Sequence, residues 1–286
     1  MAGLASQLQE ILLSHDRWVV LTGAGISADS GIPTYRDARG TWLSASPIQH
    51  QDFVTDPIAR QRYWGRSMIG WPPVRDAQPN PNHLALVAFE EADKTDLLVT
   101  QNVDRLHQKA GSHRVVDLHG RLDRVICLDC GAGYTRDHVQ RQLEQLNPHH
   151  RGLAGGTRPD GDADLSPEQV RNIAILPCEA CGGMLKPDVV FFGGSIPRER
   201  VRTCEDAISR ADGLLVIGSS LQVYSGFRFC RQAHELGIPL VIVNEGLTRA
   251  DELATLKIST RGLAVLREAL GHWVSTTGPI AGAQHG

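Results

Sequence analysis

Short runs with apolar residues at nearly every position recur along the chain: Trp18 to Thr22, Leu97 to Thr100, Val115 to Leu118, Val189 to Phe192, Leu214 to Ile217 and Leu240 to Val243. Runs without polar alternation suit strands covered on both faces. Segments of helical periodicity lie between several of them, notably Pro197 to Ala211 and Tyr224 to Leu236. This βαβ succession predicts an α/β fold, a doubly wound parallel sheet of Rossmann-like type. Ligands of such sheets sit beyond the carboxyl ends of the strands. Here GAGIS follows Thr22, QNVD follows Thr100, HG follows Leu118, SS follows Gly218 and NEG follows Val243, so one shared cleft is expected. Leu4, Leu8, Ile11 and Leu12 fall at helical spacing and predict an N-terminal amphipathic helix packed on the domain.

Two regions break the pattern. From Thr34 to Asp96 the chain shows no clear strand and carries Pro47, Pro57, Pro72, Pro73, Pro79 and Pro81, which reads as loops and short helices. From Arg124 to Pro187 it holds two CxxC pairs and a polar, glycine-rich stretch, Asn147 to Asp164, that reads as a flexible loop. The expected organisation is a nucleotide-binding domain from residues 1–123 and 188–274, with 34–96 inserted as a helical and loop segment. A small module spans 124–187, and a disordered tail spans 275–286.

Composition narrows the function. The 286 residues are 41% hydrophobic and 21% charged, with a formal net charge of -3, so no basic excess marks an obligatory nucleic-acid partner. No apolar stretch approaches the roughly 20 residues of a membrane span, and the N-terminus lacks a signal-peptide core, so a cytoplasmic protein is expected. Oligomeric state is not legible. Of the six cysteines, Cys127 and Cys130 form CLDC, and Cys178 and Cys181 form CEAC. Two such knuckles complete a closed site of four thiolates for structural zinc, the alternatives being free thiols or a redox pair. Cys204 and Cys230 fall in predicted helices and read as core.

The segment WVVLTGAGISADSGIP places Gly23 and Gly25 directly after a strand, with Ala28 at the third position of G-x-G-x-x-G/A. Small residues admit a pyrophosphate close to the backbone, and following amides bind its charge. The same spacing also occurs as plain turn chemistry. The acidic residue expected about 20 positions later is missing, so any dinucleotide site here is unorthodox.

Taken together, GAGISADSGIPTYR (Gly23 to Arg36), TQNVD (Thr100 to Asp104), LHG (Leu118 to Gly120), the two CxxC pairs, KPDVVFFG (Lys186 to Gly193), GSSL (Gly218 to Leu221) and Val243-Asn244 resemble the sirtuins, NAD-dependent protein-lysine deacylases. RYWGR, GW, PNPNH and GSSLQVYSG are most like class II sirtuins. The resemblance implies NAD as co-substrate, one structural zinc, and acyl-lysine proteins or peptides as partners. The acyl oxygen attacks the anomeric ribose carbon as nicotinamide leaves, giving an alkylimidate, and O-acyl-ADP-ribose is the product. A histidine then acts as base on a ribose hydroxyl, and His119 of LHG matches it, with a side chain suited to proton exchange near neutral pH.

By the same resemblance Gly23, Ala24, Gly25, Asp29, Tyr35 and Arg36 surround the nicotinamide ribose and phosphates. Asn102, beside Val103, and Asp104 orient the carboxamide, and Gln101 holds ribose hydroxyls. Gly218, Ser219, Ser220, Asn244, Glu245 and Gly246 meet the adenosine half, with adenine near Gly262. Asp104 also reads as a helix N-cap. Val190, Phe191 and Phe192 line an apolar tunnel for the acyl-lysine stem, the two phenylalanines having a core role as the alternative. The backbone after Lys186 pairs with the peptide as an added strand. Thr34 and Tyr35 depart from the Asp and Phe of most relatives, and Phe192-Gly193-Gly194 replaces the common FGE. Tyr63 and Arg66, three apart on a helix, resemble the clamp that desuccinylating sirtuins use on an acyl carboxylate; a packing face is the other reading. A non-acetyl deacylase of succinyl, glutaryl or lipoyl type, mono-ADP-ribosyl transfer from the same NAD site and a non-catalytic NAD-responsive module remain as competing functions.

Overall fold

Strand β1 (Trp18–Thr22) is buried at every position and lies inside a six-stranded sheet. The computed structural model describes residues 2–35, 37, 39, 41, 47–150, 152–260 and 263–276. On one side of β1 follow β2 (Thr95–Thr100) and β3 (Val115–Asp117). On the other follow β9 (Gly213–Ile217), β10 (Leu240–Val243) and β11 (Leu256–Ile258). Every neighbouring pair is parallel. The order, in which the chain winds outward first on one side of β1 and then on the other from β9, is that of the Rossmann-like sheet expected from the sequence. Strand β11 was not anticipated, because three residues with Lys257 in the middle carry too little apolar signal.

Alternate residues of the strands feed two cores. Val20, Leu98, Leu215 and Val241 face α1 (Ala2–Leu13), α4 (Pro81–Glu91) and α9 (Ala264–Thr276) through Leu8, Leu12, Phe89, Leu266 and Leu270. Val19, Leu21, Val99, Val216 and Ile242 face α7 (Arg198–Ser209) and α8 (Tyr224–Glu235) through Ile208 and Phe229. Each fully buried side chain of this size contributes about 1.5–3 kcal/mol. Cys204 and Cys230 are in this second core, as expected, and burial pushes both thiols up to about 12.

Beside the sheet stands a second lobe. Strand β4 (Gly120–Cys127) pairs antiparallel with β5 (Gly133–Thr135) and β8 (Leu185–Val189). The run Val189 to Phe192 is therefore not a strand of the parallel sheet; its first residue ends β8. The small sheet also takes in residues 120–123 and 188–189, beyond the 124–187 module drawn from sequence.

The expectation of short helices in 34–96 is overturned by α3 (Pro57–Asp76), 20 residues long and running through Pro72 and Pro73. Asp56 starts it by accepting from the Ile58 N–H at 2.8 Å. Pro72 lacks the N–H that would meet the Met68 carbonyl. Gln140 of α6 (Arg136–Leu146) supplies the donor instead, from Nε2 at 2.8 Å, while Arg136 Nη2 donates to the Ser67 carbonyl at 3.1 Å. Together α2 (His50–Thr55), α3 and α6 share a core with the small sheet, built on Phe53, Tyr63, Trp64, Val125, Val139 and Leu185.

Nor is 147–164 wholly a loop. Its β6 (Gly156–Thr157) and β7 (Ala163–Asp164) form a hairpin pressed against α3. A Cβ at Gly70 would stand 2.4 Å from the Asp162 backbone, so only glycine fits where the hairpin crosses. Of the expected tail, Ser275 and Thr276 belong to α9, and 277–286 lie outside the described residues.

Candidate active site

The strand order changes direction between β1 and β9, and there the two following loops touch. Gly23 donates to the Ile217 carbonyl at 3.0 Å and Gly25 to the Gly218 carbonyl at 2.8 Å. A Cβ on Gly218, which sits at φ +61°, would be 2.6 Å from the Ile26 nitrogen. The glycines thus serve loop-to-loop approach. They also open a cleft of about 500 Å³ beyond the strand ends.

All five polar clusters expected at strand ends contribute to its lining. Gly23, Ala24, Gly25, Asp29 and Tyr35 come from the first loop, and Gln101, Asn102 and Val103 follow β2. His119 follows β3; Gly218, Ser219 and Ser220 follow β9; Asn244 and Glu245 follow β10. Val190 and Phe192 close the wall after β8. Gly246 is not on the lining; its N–H donates to Ser259 Oγ at 3.2 Å. Arg36 and Gly262 lie outside the described residues.

Asp104 does not reach the lining either. Its Oδ1 accepts from the Leu106 N–H at 2.9 Å at the start of α5 (Leu106–Ala110), whose N-cap position is Arg105 and not Asp104, and its Oδ2 accepts from Ser27 Oγ at 2.7 Å. Ser27 Oγ in turn accepts from Asn102 Nδ2 at 3.1 Å, and the same amide donates to the Gly23 carbonyl at 3.1 Å. The carboxylate thus fixes the Asn102 amide through one hydroxyl. Burial raises the Asp104 pKa, opposed by the Leu106 N–H and the Ser27 hydroxyl.

His119 is bonded at both ring nitrogens: Nδ1 lies 3.0 Å from the Gln101 carbonyl and Nε2 2.8 Å from Ser225 Oγ. A carbonyl only accepts, so Nδ1 carries the hydrogen and the Nε2 lone pair is the basic site. Burial pushes the ring's pKa down to about 4, aided by Arg200 and opposed by the Gln101 carbonyl. The imidazole is therefore neutral near pH 7, as a general base must be.

The two phenylalanines divide their roles. Phe192 lines the cleft with its ring 6.5 Å from Tyr35, whereas Phe191 is core, packed 5.2 Å from Phe53 and 5.1 Å from Tyr63. Tyr63 is buried, and Arg66 is spent on Asp162 at 3.1 Å. Neither residue of the expected carboxylate clamp lies on the lining.

At the far end of β4 the thiols of Cys127, Cys130, Cys178 and Cys181 lie within 4.8 Å of one another. The Cys127–Cys181 and Cys130–Cys178 sulfur separations are 3.6 and 3.7 Å. A tetrahedron of sulfurs at 2.3 Å from zinc has edges of about 3.8 Å, so these four residues fit the metal. With four thiolates the coordination shell is closed, and the site is structural.

Residues 23–225 match the Sir2 family. The chain belongs to the Sir2 family. It is 50% identical over 266 residues to NAD-dependent protein deacetylase 2 of Bradyrhizobium diazoefficiens, covering 93% of this chain and 97% of that protein. It is equally 50% identical, over 258 residues, to the human NAD-dependent protein lipoamidase sirtuin-4, mitochondrial, covering 89% of this chain and 82% of the relative. Among solved structures, a Sir2 variant with deacetylated p53 peptide and 3'-O-acetyl ADP ribose superimposes with a TM-score of 0.76 at 31% identity, covering 93% and 97% of the two chains.

Three features of this Sir2 protein's cleft escaped the sequence reading. Asp160 reaches the lining from the β6–β7 hairpin, whose Asp160-Gly161 pair is a turn signal hidden in a stretch read as flexible. Leu221, Gln222 and Val223 extend the wall after Ser220, and Leu247, Thr260 and Leu263 close its outer end. Ser225 holds His119 from within the GSSLQVYSG run, whose resemblance assigned it no role. Among the described residues no helix is long and apolar enough to cross a membrane.

Proposed function

We propose that this Sir2 protein removes acyl groups from protein lysine side chains at the expense of NAD, releasing nicotinamide and O-acyl-ADP-ribose. The observation that carries the reading is a neutral, tautomerically fixed His119 facing a cleft at the switch point of a parallel sheet. NAD, when bound, supplies an activated ribose carbon. The loop from Gly23 to Gly25, nearly free of side chains, lets its phosphates come close to the backbone at the cleft. The Asn102 amide, held by Ser27 and Asp104, orients the carboxamide, so Asp104 acts by positioning. Gln101, Ser219, Ser220 and Asn244 hold the remaining hydroxyls and the adenosine half. Val190 and Phe192 enclose the acyl-lysine stem and exclude water, while Nε2 of His119 takes the proton of a ribose hydroxyl.

The division of labour goes with it. The large parallel sheet and the loops at its strand ends bind the dinucleotide, and the lobe built on β4, β5 and β8 braces the peptide side through zinc. With six cysteines assigned to metal or core and none in a disulfide among the described residues, a reducing, cytoplasmic setting is proposed as well.

Arg66 is already paired, which favours uncharged acyl groups, acetyl or longer, over acidic ones. The test is incubation with NAD and a panel of acyl-lysine peptides, scoring nicotinamide and acyl-ADP-ribose by mass spectrometry. Loss of acyl groups that disappears in His119→Ala supports the reading. A gain of ADP-ribose on protein, with acyl groups intact, replaces it by mono-ADP-ribosyl transfer.

A further inference from the structure

Ser225 is the second residue of α8, and its hydroxyl is 2.8 Å from His119 Nε2. Because the Gln101 carbonyl fixes the hydrogen on Nδ1, the Ser225 hydroxyl is the donor to the neutral ring. We propose that Ser225 is a positioning residue for the base step, keeping the His119 ring bonded on both nitrogens before and after it takes a proton. This rests on the deacylase reading above.

The chemistry balances on one proton. A ribose O–H bond breaks, an N–H bond forms at Nε2, and the electron pair stays on the ribose oxygen, which attacks the acyl carbon. Ser225 neither gains nor loses a proton. Its hydroxyl donates to the Nε2 lone pair in the resting site, yields that lone pair to the incoming ribose hydroxyl, and accepts from the new Nε2–H once the ribose oxygen has gone to the acyl carbon, while Nδ1–H stays on the Gln101 carbonyl. The ring therefore keeps one orientation through the transfer, which saves the reorientation that a base with a single partner undergoes. The N-terminus of α8 adds a positive field, so the protonated ring is ready to pass its proton on.

The two half-reactions separate this role from a merely structural one. Nicotinamide leaves before the base acts, so exchange of labelled nicotinamide into NAD, with acyl peptide present, does not need His119 to be well held. For Ser225→Ala we expect the deacylation kcat to fall about tenfold with nicotinamide exchange and the NAD KM within about twofold of wild type. The acid limb of the deacylation profile should shift as well. Ser225→Thr, which keeps the hydroxyl, should restore both rate and profile. Equal loss of exchange and deacylation in Ser225→Ala, unchanged deacylation, or failure of Ser225→Thr to recover overturns the proposal. Wild-type protein that catalyses neither half-reaction overturns the deacylase reading itself, and this proposal with it.

Discussion

Asp162 grips Arg66 from inside the protein, its carboxylate 3.1 Å from Nε and only 1% exposed. Burial and the neighbouring Asp160 push the Asp162 carboxyl well above its ordinary value, with Arg66 pulling the other way. An incoming acyl carboxylate would have to displace a partner already in place and desolvated.

Matched peptides should therefore show acetyl-lysine, or a longer neutral acyl-lysine, processed at least about tenfold better in kcat/KM than succinyl-lysine, because an acyl carboxylate would be buried without a cation. Asp162→Asn, by freeing Arg66, should narrow that gap. A wild-type preference for succinyl-lysine would count against the pairing as the specificity device.

Stability should fall on the acid side of pH 6.5. Burial holds His83 and His119 down at about 4 and His107 well below its ordinary value, whereas in the unfolded chain all three titrate near 6.5. Between those limits the unfolded state binds more protons, so their stabilising effect is complete above pH 6.5 and is lost as pH falls toward 4. The fully buried His83 alone accounts for about 3 kcal/mol across that window. Urea titrations at pH 7 and pH 5 measure the loss, and His83→Gln should shrink it.

The proline stretch of α3 makes a double-mutant cycle. Gln140→Ala leaves the Met68 carbonyl without a donor and should cost about 1–3 kcal/mol in chemical denaturation. Adding Pro72→Ala returns a main-chain N–H to that carbonyl, and the double variant should recover part of the loss. Strict additivity of the two would show that Gln140 does not act through Met68.

One zinc per chain is expected by elemental analysis. Cys127→Ser or Cys178→Ser should abolish it, and chelation should lower the melting temperature by more than about 10 °C, given that structural zinc sites carry about 10–16 kcal/mol of binding free energy. Nicotinamide formation should fail only as the second lobe unfolds, since no thiolate faces the cleft.

Most of the large sheet was readable because β1, β9 and β10 are buried at every position, apolar but for Thr22 at the end of β1, and are followed by small polar residues that have no role in a core. The strand-end clusters marked the cleft for the same reason. What misled was local resemblance without tertiary context. Val189 to Phe192 has the composition of a buried strand, yet β8 ends at Val189, after which one phenylalanine enters the core and the next the cleft. Pro72 is a breaker unless Gln140, some 70 positions away, tends the Met68 carbonyl. Asp104 could be placed near Asn102 from spacing, but whether it points at a ligand or at Ser27 depends on a loop folded 77 residues earlier.

The pairing of β1 with β9 joins residues 195 positions apart, from Trp18 to Gly213. During synthesis the middle strand of the sheet therefore waits with one edge bare until 195 further residues have been made, at about 5–20 residues per second. Cys178 likewise trails Cys130 by 48 residues, so metal capture falls in the same interval. A nascent chain in that interval exposes a bare row of strand N–H and C=O groups and two unsatisfied thiols together. The cleft, bounded by Gly23 on one side and Gly218 on the other, comes into being only when that wait is over.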